Sequence, residues 1–155
     1  MISLPASGII LVSACLLGHS TRYDGRVLAV PPWLAAIPPA QVLALCPEVL
    51  GGLAVPRPPA RIQGATPGRE GRDVLAGRAR VLTSDGQDMS AAFVAGARQA
   101  LARALAAGVA RAYLKDRSPS CGHDPQAQNP GGGPRQGVLA ALLLAQGIEV
   151  VEVRA

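Results

Sequence analysis

Gly8-Ile9-Ile10-Leu11-Val12-Ser13-Ala14-Cys15 is the stretch that decides how the chain reads. Its centre, Ile9 through Val12, is apolar without polar alternation, so a strand built from it must be covered on both faces, as in a buried parallel sheet. Val12-Ser13-Ala14-Cys15 also has the form of a lipoprotein processing site. A signal peptide needs a basic leading region, however, and no Lys or Arg precedes Arg22. The apolar run is too short to span a bilayer. It reads as the first strand, 8–14, of a cytoplasmic protein with no membrane partner.

Further runs of strand length lie at 42–45, 79–83, 110–114 and 148–153. Between them, 90–107 reads as a helix, with Ser90 as cap, Phe93, Ala97, Leu101 and Leu105 on one stripe and Gly108 as the stop. A second helix is expected over 137–146, ended by Gly147. Alternating strands and helices predict one α/β domain over 1–155, three-layered and Rossmann-like, with a mostly parallel sheet and right-handed crossovers. The Pro-, Gly- and Arg-rich stretch 56–77 reads as a long irregular loop, and 123–135 as a second loop.

The length of 155 residues suits a single core, which should be aliphatic because the aromatics are only Phe93, Trp33, Tyr23 and Tyr113. The formal charge of +5 comes from fourteen Arg and one lysine, Lys115. The Arg residues are spread along a chain rich in Ala, Arg, Gly and Pro, and do not cluster into a nucleic-acid footprint. No stable nucleic-acid complex is expected, and monomer and dimer both remain open.

Three cysteines cannot all pair with one another, and a reducing compartment disfavours disulfides, so metal binding or catalysis is the expected use. Cys15 follows the first strand, Cys46 the second, and Cys121 lies a few residues beyond the strand ending at Leu114. In open α/β sheets ligands bind in the crevice outside the strand C-termini, where these three would meet. No local spacing such as Cys-x-x-Cys occurs. Each cysteine taken singly reads equally well as a buried structural residue. His19 and His123 could join the cysteines in a zinc site. Cys15 and Arg22 approach a Cys-x5-Arg phosphate loop, but six residues intervene and Leu16-Leu17 stand where small residues would help.

Five segments then add up: Val12-Ser13-Ala14-Cys15-Leu16-Leu17-Gly18, Arg22-Tyr23-Asp24-Gly25, Cys46-Pro47-Glu48-Val49-Leu50-Gly51-Gly52-Leu53, Pro56-Arg57-Pro58-Pro59-Ala60, and Leu114-Lys115 through Ser118-Pro119-Ser120-Cys121-Gly122. In this order and over nearly the whole chain they resemble the thiouracil desulfidase family. The resemblance implies a 4Fe-4S cluster held by Cys15, Cys46 and Cys121, with one iron open to a substrate's sulfur. The implied substrate is a small thiolated pyrimidine, which is converted to uracil and hydrogen sulfide without net electron transfer. Thiolates are the usual iron-sulfur ligands, and a soft thiocarbonyl sulfur prefers iron to a hard cation.

Glu48, two residues from Cys46, is the candidate general base or proton shuttle, and the resemblance points to it as well. Ser118, three residues before Cys121, is expected to hydrogen-bond and orient that base, again as the resemblance implies; a turn-capping role is its alternative. Arg22, Tyr23 and Asp24 are candidates for lining the pocket or bracing its loop; Lys115 and Arg57 read as neutralising the cluster or a nucleotide phosphate, and equally well as solvated loop charges. Two departures from the family pattern stand out: His123-Asp124-Pro125-Gln126 after Cys121-Gly122, where many members carry a Tyr-Asp-Gly-Thr-Phe pattern, and Thr21, where members often carry a further Cys. A non-catalytic iron-sulfur or zinc-binding sulfur carrier is the alternative from another class, distinguished from an enzyme by the absence of turnover.

Overall fold

The computed structural model of the protein describes residues 8–129 and 132–155. The opening stretch forms β1 (Ile10–Ser13), all four residues buried. It lies inside a four-stranded parallel sheet of order β2-β1-β5-β6, where β2 is Val42–Leu45, β5 is Arg111–Lys115 and β6 is Glu149–Val153. Side chains alternate between two apolar clusters. Leu11, Leu45, Ala112, Leu114 and Val150 face one, and Ile10, Val12, Tyr113 and Val153 face the other. This is why β1 lacks polar alternation: both of its faces are core.

The larger cluster is roofed by α4 (Ser90–Ala106) and α5 (Val138–Ala145). The other face is covered by the segment between β1 and β2, whose Leu16, Leu34 and Ile37 are buried and which contains the one-turn helix α1 (Pro32–Ala35). Trp33 packs on Tyr113 with ring centroids 5.3 Å apart. The expected mixed α/β fold with a mostly parallel sheet is therefore observed, with a thin third layer.

Several elements differ from the sequence expectation. Residues 79–83 do contain a strand, β4 (Arg80–Thr83), but it pairs antiparallel with β3 (Ala60–Gln63) in a separate two-stranded sheet. β3 and the short helix α3 (Glu70–Leu75) both fall within 56–77, which the sequence reading treats as loop. In β3, Arg61 and Gln63 are exposed between half-buried Ala60 and Ile62, an alternation too short to stand out beside Pro58-Pro59. The buried stripe of α4 is Phe93, Ala97, Ala100 and Ala104; of the predicted leucines, Leu101 is half-buried and packs against the same core, while Leu105 is exposed. In an Ala-rich helix several faces are equally apolar, and small residues let the helix approach the sheet closely. Ser90 does not cap through its side chain: its hydroxyl accepts a hydrogen bond from the Val81 amide (2.9 Å), while Asp88 Oδ1 accepts from the Ser90 amide (2.9 Å).

Two glycines bring the site-bearing turns close to this frame. A Cβ on Gly96 of α4 would lie 1.8 Å from the Pro47 carbonyl oxygen, so only glycine lets α4 seat the one-turn helix α2 (Pro47–Leu50). A Cβ on Gly137, at the start of α5, would lie 2.4 Å from the Ser120 carbonyl oxygen. Of the second predicted loop, residues 130–131 lie outside the described residues.

Candidate active site

Cys15 lies in a single 3-10 turn (Ala14–Leu17) that follows β1 directly, Cys46 sits between β2 and α2, and Cys121 closes a turn beyond β5. All three line one cavity of about 370 Å³ outside the C-terminal ends of the parallel strands, together with Glu48, Ser118, Arg22, Tyr23, Arg57 and Lys115. The volume lies towards the lower end for small-molecule sites. All three cysteines are free. His19 and His123 do not line the cavity.

Glu48, in the first turn of α2, is gripped from two sides. Arg57 donates through Nε and lies equally close through Nη2, each 3.1 Å from Glu48 Oε1, and both side chains are largely buried. Ser120 Oγ donates to Glu48 Oε2 at 3.2 Å. Arg57 is itself fixed, its Nη2 donating to the Thr21 carbonyl (2.9 Å), its Nη1 to the Ala54 carbonyl (3.1 Å) and its amide to the Tyr23 carbonyl (2.7 Å). The carboxylate is thus oriented by a planar cation that is locked by backbone groups.

Ser118 lines the cavity, but the hydrogen bond to Glu48 expected of it belongs to Ser120. Ser118 Oγ instead accepts from the amides of Ser120 (3.1 Å) and Cys121 (3.0 Å), holding the turn that presents Cys121. The preceding residue, Arg117, has φ 62, the left-handed conformation that turns the chain back from β5 towards the cavity.

Ser13 and Ser120 escaped the sequence reading. Ser13, buried at the end of β1, accepts from the Lys115 amide (3.0 Å) and hydrogen-bonds the Cys121 thiol. A hydroxyl ending an otherwise apolar strand is the available signal; for Ser120 the signal is its place beside Cys121.

Burial pushes the Cys15 thiol up to about 11, against the nearby Lys115 charge and with Cys46 adding to the rise. Burial likewise drives the Cys121 thiol far up, opposed by its hydrogen bond to Ser13. Thiols of this kind stay protonated until a metal centre displaces the proton. Cys46 Sγ sits 3.9 Å from the Thr21 carbonyl oxygen. At the rim, Arg22 clasps Asp24 through two contacts of 3.1 Å, and this hydrogen bonding holds the Asp24 carboxyl down to about 2.

The donor set fits an iron-sulfur cluster: three unpaired thiols from three separate elements face one cavity. Among the described residues no three His, Cys, Asp or Glu side chains are grouped closely enough to hold a single metal ion.

Residues 10–154 match the family described as 2-thiouracil desulfurase. The chain is 37% identical over 146 residues to a Bacillus subtilis (strain 168) protein named "Uncharacterized protein YbbK", covering 92% of this chain and 94% of that one. Its structure is similar to that of the "[4Fe-4S]-dependent thiouracil desulfidase TudS", with a TM-score of 0.74, 40% identity, and coverage of 94% of this chain and 91% of the other. With three free cysteines and a clamped carboxylate around one cavity, and with these relatives matching nearly end to end, the chain belongs to the 2-thiouracil desulfurase family.

Proposed function

We propose that the protein is an iron-sulfur-dependent desulfidase that converts a thiolated pyrimidine, thiouracil or a close relative, to uracil and hydrogen sulfide. The observation that carries this reading is the meeting of Cys15, Cys46, Cys121 and Glu48 at one cavity in a chain of this family. The three cysteines would hold a 4Fe-4S cluster with one iron free of protein ligands, and the bound cluster would supply a soft metal face for the thiocarbonyl sulfur.

The remaining work falls to the chain. Glu48, fixed by Arg57 and Ser120, takes a proton from a water aimed at the thiocarbonyl carbon. Ser118 Oγ accepts two amides, which leaves its own proton available to donate into the cavity towards water or substrate. The proline-rich wall of Pro58 and Pro59 is suited to the flat face of a one-ring base. The reading includes one catalytic domain acting in the cytoplasm, where thiols stay reduced. No helix among the described residues is long and apolar enough to cross a membrane.

The test pairs two variants. Glu48→Gln should keep full iron and labile sulfide yet lose sulfide release by roughly a hundredfold or more, the scale of general-base catalysis. Cys121→Ser should lose the cluster itself. Full turnover in Glu48→Gln would remove the base from Glu48, and stoichiometric sulfur capture without uracil formation would favour a carrier.

A further inference from the structure

Lys115 is the one lysine among the fifteen Lys and Arg residues. Lys115 ends β5, is 7% exposed and lines the reaction cavity. Its Nζ donates to Asp116 Oδ1 at 2.6 Å and to the Asp116 carbonyl at 3.3 Å. Asp116 also accepts from Arg117 Nε (3.1 Å) and from the Ala155 amide (3.2 Å). Burial pushes the Asp116 carboxyl up, but the Lys115 bond and charge, the Ala155 amide and the Arg117 charge together outweigh it and hold the group below its usual value. Two cations thus share one carboxylate, and this wall keeps one net positive charge. The other charges at the cavity are matched, Arg57 with Glu48 and Arg22 with Asp24.

We propose that Lys115, whose charge Asp116 offsets only in part because Arg117 shares the carboxylate, forms an anion subsite that stabilises the departing hydrosulfide; the inference rests on the desulfuration reading above. In the reaction the water oxygen bonds to the thiocarbonyl carbon as the C=S π pair moves to sulfur; an oxygen electron pair then forms the carbonyl as the remaining C–S bond breaks, its pair also staying on sulfur. One water proton goes to sulfur, giving hydrosulfide, and the other passes through Glu48 to solvent. No electron is gained or lost. A neutral thiobase thus yields an anion, and a fixed cation favours the charge that develops over the neutral ground state. A compact ammonium suits a small round anion, whereas the arginine fork suits planar oxyanions.

Cluster-loaded protein is titrated with sodium hydrosulfide at mildly alkaline pH, followed by the visible spectrum, and with uracil by equilibrium dialysis. In Lys115→Met the hydrosulfide Kd should rise at least about tenfold, equivalent to ~1.4 kcal/mol, with iron content and uracil affinity unchanged. Asp116→Asn, which removes the shared carboxylate, should shift hydrosulfide binding the opposite way, and decides the matter alone if Lys115→Met does not load its cluster. Unchanged hydrosulfide affinity in Lys115→Met at equal iron, or weaker binding in Asp116→Asn, overturns the subsite. Failure of the unaltered, loaded protein to convert thiouracil would instead overturn the functional reading, independently of either titration.

Discussion

On the proposed reading, Arg57 and Ser120 set the orientation in which Glu48 meets the water. A carboxylate that must meet a water at a fixed angle loses efficiency when its supports go, even if its chemistry is intact. Arg57→Gln is expected to lower kcat by about tenfold with KM and iron content little changed, and Ser120→Ala by a smaller factor, because misplaced catalytic groups cost rate more than binding. Steady-state kinetics beside an iron assay checks both. At this scale the sequence was most legible where chemistry is written locally: Cys15, Cys46, Cys121 and Glu48 each stand in a short motif and all reach the cavity. Ser120 and Ser13 were not legible, because their partners, Glu48 and Cys121, are remote in sequence. The bond assigned to Ser118 went to a serine two residues on, since Ser118 is occupied with the backbone of its own turn.

The one-turn helix α2 carries Glu48 and follows Cys46, yet it is too short to hold its place by itself. Its position comes from α4, through the backbone contact at Gly96. Gly96→Ala forces Pro47 away and should destabilise the fold by about 1–3 kcal/mol, the usual cost of overpacking, while weakening cluster retention. Urea unfolding of the cluster-free protein and iron content after gel filtration measure the two effects. Elements built on continuous apolar runs were the readable ones: the four strands of the parallel sheet and the two roofing helices were all expected. β3 and α3 were not, because neither contains a continuous apolar run: Arg61 and Gln63 interrupt β3, and α3 lies among charged residues in a Pro- and Gly-rich stretch. The parent sheet of β4 was equally hidden, since strand partners are chosen in space.

Across the whole molecule, carboxylates tied down in the native state set its response to acid. Asp73 is held low chiefly by the Thr66 amide, Asp124 by the Gln128 amide, and Asp24 by Arg22. Groups with lowered folded values stabilise the native state above their unfolded pKa, near 3.9, and lose that contribution as pH falls through the folded one. The urea midpoint should therefore change little between about pH 7 and 5 and drop below about pH 4, with a shallower drop in Asp73→Asn. The same whole-chain view explains why the site could be foreseen as a place. A parallel sheet sends the ends of β1, β2 and β5 to one edge, and there three cysteines distant in sequence meet.

The central claim is that these three thiols hold a cluster that serves desulfuration. Iron and acid-labile sulfide per chain, counted on protein reconstituted without oxygen and then given 2-thiouracil, tests it most directly. The account predicts about four of each, followed by repeated release of sulfide with matching uracil. Three free thiols with no iron and no labile sulfide after reconstitution would contradict it.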